Sequence, residues 1–306
     1  MRWSRRDVLG LAGKAAPVMA LPAALLASAR AQAALLQPRT PTPLPLEMRA
    51  RLVCIGGTIT EILYDLGAGA TIIGVDSTSH YPPQALKEKA DIGYMRQISP
   101  EGVLSLNPSL VLVMRDSGPA AALNQIADSP VPMIYVDATP SAEAVVGRVI
   151  FLGKLLGLIA RSDKLAAQIQ QGFNQLATLR AQRKTTPRVM FVLMASGNQA
   201  MIGGAGTAAD SIIALAGGQN AASSTHGYIM VGAESIISMA PDVILTMQHA
   251  GMPLPKNLLK TLGFINTPAG IKNASIAMDG ELLLGFGPRT PDAGLMLARH
   301  LQALAA

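Results

Sequence analysis

Residues 98–114, ISPEGVLSLNPSLVLVM, decide the fold of this chain because residues 231–247, VGAESIISMAPDVILTM, repeat their pattern without a gap. A second pair of segments, GTITEILYDL at 57–66 and GTAADSIIAL at 206–215, repeats in the same order. Self-similarity of this length and order predicts two duplicated domains rather than a solenoid of short repeats. Residues identical in the two long copies are Glu101 and Glu234, Ser105 and Ser238, Pro108 and Pro241, Leu112 and Leu245, and Met114 and Met247.

The N-terminal residues 1–33 predict an export signal. The stretch SRRDVL at 4–9 is followed by an apolar run rich in Ala and Leu, and then by small residues. This order is typical of a cleaved signal peptide, and a retained anchor helix is the alternative. The paired arginines resemble a twin-arginine signal, but Val8 and Gly10 depart from that motif, so an ordinary secretory route stays open. Residues 34–50 then form a Pro-rich tether.

Charge and composition exclude one class of partner. Five basic residues and a single acidic one lie in the predicted signal, so the formal net charge of +6 falls to +2 without it. Beyond the signal, no Lys/Arg-rich stretch is interleaved with aromatic residues. Nucleic acid is therefore not an expected partner.

Strand-like and helix-like segments alternate from residue 51 onward, with Gly and Pro at the joints. This alternation predicts mainly parallel sheets covered by helices. A Pro-free helical pattern from 162 to about 184 predicts a stiff connector, so we divide the chain into an N-terminal α/β lobe at 51–157, a connector at 158–186 and a C-terminal α/β lobe at 187–306. The predicted strands are 52–55, 71–75, 110–114, 133–136, 188–194, 243–247 and 275–278, and the other predicted helices are 58–66, 100–106, 120–127, 141–156, 207–215, 233–239, 257–262 and 291–304.

Six motifs follow one another along the chain: GGTITEI at 56–62, GVDSTSHYP at 74–82, GYMR at 93–96, SPEGVLSL at 99–106, GAGTAAD at 204–210 and GFGPRTP at 285–291. On these motifs the chain resembles the haem-binding substrate-binding proteins of bacterial ABC importers, within the family that also contains siderophore and vitamin B12 binders. The resemblance implies a class III periplasmic binding protein fold, in which two Rossmann-like α/β lobes are joined by one long helix and hold the ligand in the cleft between them. It also implies a non-catalytic, monomeric periplasmic protein with little hinge motion. Such a protein takes up haem, in some systems from an outer-membrane haem receptor, and delivers it to an inner-membrane ABC permease dimer.

The motif GYMR contains the main candidate for an iron ligand, Tyr94. A tyrosinate is a hard oxygen ligand that suits ferric haem. Because the ordinary pKa of tyrosine is about 10, a nearby cation must help to favour the anionic form. Arg96 can supply that cation, which is also the role that the resemblance implies. A bare Tyr-x-Arg is more typical of a core tyrosine beside a surface arginine, and it is the surrounding motifs that favour ligation.

Alternative iron ligands are present on both halves. Tyr81 is the rival of Tyr94, and its neighbour His80 is a weaker candidate. The resemblance implies that some members use a histidine after the strand at 188–194, but this chain reads MASG at 194–197 and has none there. Four other residues could bind the iron on the side opposite the tyrosine, although each is interpreted first as a packing residue or a haem-face contact. They are Met194, Met201, Met230 and His226.

Haem propionates need hydrogen-bond donors at the cleft mouth. Arg96, Arg289 and the backbone amides of the turns at Gly57 and Gly206 are the candidates, and Met95 lies between Tyr94 and Arg96 in the same pocket motif. Arg289 fits equally well as an anchor for its own Gly-Pro-Arg-Thr-Pro turn. The glycines fit equally well as residues that only make tight turns.

The duplicated glutamates, Glu101 and Glu234, suggest a docking surface. One carboxylate on each lobe, related by the duplication, matches the symmetry of a permease dimer. In the wider family that the chain resembles, such glutamates meet arginines on the transporter. The alternative is that each glutamate only stabilises the N-terminus of its helix.

Two other functions compete with haem transport. A ferric siderophore or corrinoid binder is the rival within the same class. An exported nucleotide-dependent enzyme is the rival from another class, because GAGTAA at 204–209 matches a dinucleotide-binding fingerprint. That match is weak, since no acidic residue follows about 20 residues on. The histidines show no zinc-site spacing, and no Gly-x-Ser-x-Gly motif occurs.

Overall fold

The computed structural model of the protein describes residues 42–248, 257–261 and 263–304. The predicted signal and the first part of the predicted tether therefore lie outside the described residues. The rest of the tether contacts the folded part of the chain, because the amide of Leu44 donates to the Leu155 carbonyl at 2.9 Å and a short 3-10 turn forms at Glu47–Arg49. No helix in the described ranges has the length and apolar character needed to cross a bilayer.

The first half of the chain folds into a five-stranded parallel sheet. Its central strand is buried along its whole length, as expected for a strand that helices cover on both faces. The strands are β1 Leu52–Ile55, β2 Ile72–Val75, β3 Ala90–Asp91, β4 Leu110–Met114 and β5 Met133–Val136, in the spatial order β3-β2-β1-β4-β5. The helices are α1 Gly57–Asp65, α2 Gln84–Glu88, α3 Pro100–Leu104 and α4 Ala120–Ala127.

The parallel direction of this sheet brings the carboxyl ends of all five strands to one edge. The segments that follow them begin at Gly56, Asp76, Ile92, Arg115 and Asp137. Ligands of open α/β sheets bind outside this edge. The edge is therefore where a binding site is expected.

Two helices lie between the sheets of the two halves, α5 Ala142–Leu155 and the long connecting helix α6 Ile159–Ala181. They are separated at Gly157, whose φ of 69° favours glycine, at the predicted break. The long helix begins before its predicted start at Ser162. Ser162 does not cap it, because this residue is fully buried and its hydroxyl donates to the Ile159 carbonyl at 2.9 Å, inside the first turn.

The second half contains a mixed sheet. Three long strands and one short strand run parallel to one another. The strand β7, Gln199–Gly203, is antiparallel to both of its neighbours. The strands are β6 Arg188–Ser196, β7 Gln199–Gly203, β8 Gln219–Asn220, β9 Tyr228–Gly232, β10 Val243–Gln248 and β11 Ser275–Asp279, in the order β11-β10-β6-β7-β9 with β8 beside β6. The helices are α7 Ala208–Leu215, α8 Ala233–Met239, α9 Pro268–Lys272, α10 Gly280–Leu284 and α11 Thr290–Ala303.

The predicted architecture is confirmed: two α/β halves with mainly parallel sheets are joined by one long helix. Strands β3, β7, β8 and β9 were not predicted, and the predicted helix at 257–262 is wrong in type. Only a 3-10 turn forms there, at Leu258–Lys260, because Thr261 is extended and Gly263 has a φ of 92°. The residue numbers assigned to the domain boundaries stay a prediction.

One hydrophobic core runs through both halves. It contains Val53 of the first sheet, Leu176 of the connector, Phe191 of the second sheet and Leu297 of the last helix. A smaller cluster, which includes Ile202 of β7, covers the other face of the second sheet. The two halves are therefore packed on a shared core rather than linked by a loose hinge.

Candidate functional site

Tyr94 projects from the carboxyl edge of the first sheet. It follows Gly93, which has a φ of 88° and open space where a Cβ atom would stand. The Tyr94 carbonyl accepts from the Gln97 amide at 2.7 Å, so the loop is a tight turn. The side chain is 41% exposed, which excludes the alternative of a buried core tyrosine.

Arg96 lies beside Tyr94, in the same turn. Its Nη2 donates to Asp116 Oδ2 at 3.2 Å, and both side chains are about half exposed. Burial lowers the pKa of Arg96, but the electrostatic interaction with Tyr94, the hydrogen bond and charge of Asp116 and the electrostatic interaction with Tyr228 together outweigh it and raise the pKa above its ordinary value. The turn therefore holds a permanent cation close to the Tyr94 phenol.

Met95 points away from these two residues. Its side chain is 9% exposed and belongs to the core of the first half, where the Thr78 hydroxyl lies 3.9 Å from its sulfur. The structure thus separates the three residues of the Tyr-Met-Arg motif into two exposed polar groups and one core residue.

Tyr81, the rival ligand, is in a different environment. The guanidinium of Arg289 lies 3.6 Å from the centroid of the Tyr81 ring. The same guanidinium donates to both carboxylate oxygens of the buried Glu61, from Nε at 2.9 Å and from Nη2 at 3.1 Å. Arg289 therefore ties α1 of the first half to the turn before α11.

Further contacts hold the loop at residues 285–289, which we call the interlobe loop, against the first half. The Thr58 hydroxyl donates to the Gly285 carbonyl at 2.5 Å. Arg148 Nη2 donates to the Phe286 carbonyl at 3.0 Å, and burial lowers the pKa of this arginine. The last sequence motif, GFGPRTP, thus supplies a contact between the halves.

Glu281 is a second carboxyl group in this contact. Burial raises its pKa to about 8, and the nearby charge of Glu61 adds to the effect, while Arg289 opposes it. Its Oε1 atom is buried and has no hydrogen-bond partner among the described residues. A protonated acid at neutral pH fits this environment, because an ionised carboxylate would stay unsatisfied.

Gly57 and Gly206, which the duplication pairs, differ in the structure. A Cβ atom at Gly57 would lie 2.7 Å from Glu281 Oε1 and would collide with the Thr78 carbonyl, and the Gly57 amide is bonded to Thr78 Oγ1 at 2.9 Å. At Gly206 a Cβ atom would meet open space, and its φ is 77°. Close packing requires a glycine at position 57 but not at position 206.

A row of three methionines lies on one face of the second sheet. Met194 is paired with Met201, and Met201 with Met230, so their side chains share a face of β6, β7 and β9. Met194 is 44% and Met230 is 47% exposed. Tyr228 lies on the same face of β9, two residues from Met230, and interacts electrostatically with Arg96 of the first half. The row therefore faces the first half.

The sequence analysis missed Tyr228 and the register of the methionines. The two-residue turn at Gly197 and Asn198 connects β6 to β7, and Gly197 has a φ of 57°. Glycine in such a turn is a hairpin signal, which was available in the sequence. Because this hairpin was not predicted, the methionines were interpreted singly and not as a row on one face of a sheet.

The remaining predicted residues are placed as follows. Glu101 and Glu234 are exposed in the first turns of α3 and α8. His80 and His226 are exposed, and no cluster of His, Cys, Asp or Glu in the described part of the chain could hold a metal ion. The GAGTAA segment follows the antiparallel strand β7, whereas a dinucleotide fingerprint follows a strand of a parallel βαβ unit.

Comparison with known proteins gives the family. The model of the family described as periplasmic binding protein matches residues 52–282. The chain belongs to the periplasmic binding protein family. Membership in this family of substrate-binding transport proteins confirms the resemblance inferred from the six motifs and disfavours the nucleotide-dependent enzyme.

Similar members of the family have been solved with and without ligand. The periplasmic heme-binding protein RhuT from Roseiflexus sp. RS-1 is 36% identical, with a TM-score of 0.78 over 84% of this chain and 99% of that chain. The periplasmic heme-binding protein BhuT in complex with two hemes is 34% identical, with a TM-score of 0.77 over the same shares. A vitamin B12-binding protein of Vibrio parahaemolyticus is 26% identical over 65% of this chain and 71% of its own length.

Proposed function

We propose that this family member binds ferric haem in the cleft between its two halves and delivers it to an inner-membrane ABC permease. The observation that carries the proposal is the exposed Tyr94 with the Arg96 cation beside it at the carboxyl edge of the first sheet. Its similarity to RhuT and BhuT, which are periplasmic heme-binding proteins, supports it, since this chain covers nearly all of both.

Tyr94 is the proposed iron ligand. A phenolate oxygen binds Fe(III) well, and Arg96 stabilises the negative charge that the phenol acquires when it loses its proton. Tyr81 is less suited, because its ring is stacked under Arg289 and that arginine is held by Glu61. Movement of Tyr81 toward an iron atom would break this stacking.

The methionine row is the proposed second wall of the cleft. Three flexible thioether side chains make an apolar surface that adapts to a flat macrocycle. Such a surface is poorly matched to a hydrophilic siderophore. Arg96 remains the proposed donor to the propionates. Met95, Gly57 and Arg289 are engaged in the contacts described above, and the Gly206 amide donates to Asp210 Oδ2 at 3.1 Å, so these residues serve mainly to build the site.

The partners follow from the same proposal. Glu101 and Glu234 are exposed on helices that the duplication relates, and we assign them to docking on the permease dimer. The protein acts in the periplasm as a monomer, receives haem that an outer-membrane receptor system imports, and catalyses no reaction. The export signal predicted at residues 1–33 is consistent with this location.

A corrinoid is the second candidate ligand, because the vitamin B12-binding protein of Vibrio parahaemolyticus is a relative. Titration of the exported form with haemin and with cyanocobalamin, followed by visible absorbance, distinguishes the two. Saturable haemin binding with a high-spin ferric phenolate spectrum, lost in Tyr94→Ala and weakened in Arg96→Ala, supports the proposal. Loss in Tyr81→Ala alone moves the ligand to Tyr81, and binding of cyanocobalamin but not haemin rejects haem as the cargo.

A further inference from the structure

Lysine and arginine are distributed unevenly between the two walls of the cleft. From residue 189 to residue 255 the sequence contains neither, and this stretch includes β7, β9 and all of β6 after its first residue. The sheet face that carries the methionine row therefore offers no lysine or arginine to a ligand with carboxylate groups. The cationic partners of such a ligand are expected at the carboxyl edge of the first sheet, where Tyr94 lies.

Three arginines near that edge are already engaged with other groups. Arg96 pairs with Asp116 at 3.2 Å, and Arg289 donates to both carboxylate oxygens of Glu61. Arg148 is 2% exposed, and its guanidinium donates to three backbone carbonyls. None of the three therefore has a whole guanidinium left for a ligand.

Arg115 is a fourth arginine at the same edge. It is the first residue after β4, and its amide donates to the Val136 carbonyl at 2.9 Å. The loop that Arg115 begins packs against the turn of Tyr94, because the Gly118 amide donates to the Met95 carbonyl at 2.9 Å. Arg115 thus belongs to the loop that supports the turn of the proposed iron ligand.

The guanidinium of Arg115 has an aromatic support but no acidic partner. Its Cζ atom lies 5.4 Å from the centroid of the Tyr135 ring, on the neighbouring strand β5. Within the part of the chain that the structure describes, no carboxylate forms an ion pair with it. The acidic residues that follow the same two strands, Asp116 and Asp137, are bonded to other side chains. The exposed Arg115 side chain therefore keeps its N–H donors for a partner outside the chain.

We propose that Arg115 binds one propionate of the haem and so orients the macrocycle with its propionates toward the carboxyl edge of the first sheet. This inference rests on the proposed function, because it names a further contact in the same cleft. A guanidinium presents two parallel N–H donors that match a carboxylate. The Tyr135 ring supports the arginine without using those donors. Arg96 remains the proposed donor to the other propionate.

The proposed contact gives the cleft a preference for ligand charge. Haem brings two carboxylates, which pair with arginines on one wall, while its apolar ring surface contacts the methionine row on the other. The carboxamides at the periphery of a corrinoid are neutral, so they form no ion pair with Arg115. Arg115 is therefore a specificity-determining residue for a tetrapyrrole dicarboxylate.

Haemin and its dimethyl ester distinguish this role from a structural one. Esterification removes the propionate charges and leaves the iron and the macrocycle unchanged. With both ligands titrated in the same dilute detergent, Arg115→Gln is expected to weaken haemin binding by about tenfold, the effect of one lost charge-assisted hydrogen bond. The affinity for the dimethyl ester is expected to stay at the value of the wild type. Equal losses for the two ligands, or no loss for haemin, overturn the proposal.

The matched control is Arg299→Gln. Arg299 is also exposed and forms no ion pair with the described residues, but it lies on α11 and not at the carboxyl edge of the first sheet. This variant removes the same charge and is expected to leave haemin affinity unchanged. If it weakens haemin binding as much as Arg115→Gln does, the effect comes from the net charge and the proposal fails.

Visible spectra of the haemin complexes separate the roles of the two arginines. Arg115→Gln is expected to keep the phenolate-to-iron charge-transfer band of the wild type, whereas Arg96→Gln is expected to shift it, because Arg96 acts on the Tyr94 phenolate. The same shift in Arg115→Gln overturns the propionate role. If the wild type binds no haemin, the proposed function fails and this inference fails with it. Equal haemin affinities of the wild type and Arg115→Gln overturn the inference alone.

Discussion

Arg289 holds both carboxylate oxygens of Glu61, at 2.9 and 3.1 Å, although 228 residues separate the two in the sequence. The Glu61 side chain is 4% exposed, so the arginine neutralises a charge that water does not reach. This pair joins the first helix of the chain's first sheet to the start of its last helix. It is the strongest charged contact between the two halves among the described residues.

Loss of the Arg289 side chain is expected to destabilise the protein. Arg289→Met leaves Glu61 buried and unpaired, which costs about 3 kcal/mol of unfolding free energy. Urea denaturation of the empty protein measures it. Arg299→Met, on the helix that Arg289 precedes, is the control, because Arg299 is exposed. Equal midpoints for the two variants would contradict the assigned role of the pair.

Glu281 is expected to make stability fall as the pH rises. Its pKa is about 8 in the folded protein against 4.5 ordinarily. Between these values the folded state holds a proton that the unfolded state has lost, so the free energy of unfolding decreases with increasing pH. Glu281→Gln removes this titrating group and keeps the shape of the side chain. We expect the stability of the variant relative to the wild type to increase from about pH 5 to pH 8, measured by urea denaturation across the range. A constant difference would show that Glu281 ionises normally.

The paired glycines are expected to respond unequally to a methyl group. Gly57→Ala forces a Cβ atom against Glu281 and the Thr78 carbonyl, and we expect a loss of about 3 kcal/mol from overpacking. Gly206→Ala meets no atoms and is strained only by its positive φ, at a cost of about 1 kcal/mol. Thermal unfolding of both variants compares them directly. The reverse order would mean that the contact at Gly57 relaxes easily.

Removal of the duplicated glutamates is expected to impair delivery without affecting capture. Glu101→Ala and Glu234→Ala together should slow haem transfer to the reconstituted permease by about tenfold, because interfacial charges steer association. Haemin affinity should stay unchanged. Glu143→Ala is the control, since Glu143 is also an exposed acid in the first turn of a helix, α5. If all three glutamates contribute alike to stability and none to transfer, they only stabilise their helix N-termini.

The sequence predicted the secondary structure well where that of a segment depends mainly on the segment's own residues. Strands β1 and β4 begin and end where their apolar runs do, because each is buried and bounded by turn residues, and the partly exposed β5 also matches its predicted range. The antiparallel pairing of β7 with β6 and β9 was not predicted, because β7 and β9 are short and partly exposed. Their pairing depends on the turn at Gly197 more than on their own composition.

The candidate site was predicted in part, because the sequence shows directly only which residues are neighbours along the chain. Tyr94 and Arg96 are neighbours in the chain, so their proximity could be seen in the motif. The Arg289–Glu61 pair and the approach of Tyr228 to Arg96 depend on how the two halves pack, which no local pattern encodes. Met95 was assigned to the pocket by its position in the motif, but the turn directs its side chain into the core.

The shared core has a consequence for the way an empty binding protein competes with a loaded one. Wide separation of the halves would break the Glu61–Arg289 pair and the hydrogen bonds of Thr58 and Arg148 to Gly285 and Phe286, so the vacant cleft is already shaped for its cargo. Little affinity is then lost to a conformational equilibrium before binding. A transporter that touches both halves consequently meets nearly the same spacing whether or not cargo is present. It must distinguish the two forms by the cargo itself or by the surface at the cleft mouth, and a surplus of vacant protein acts as an inhibitor of import.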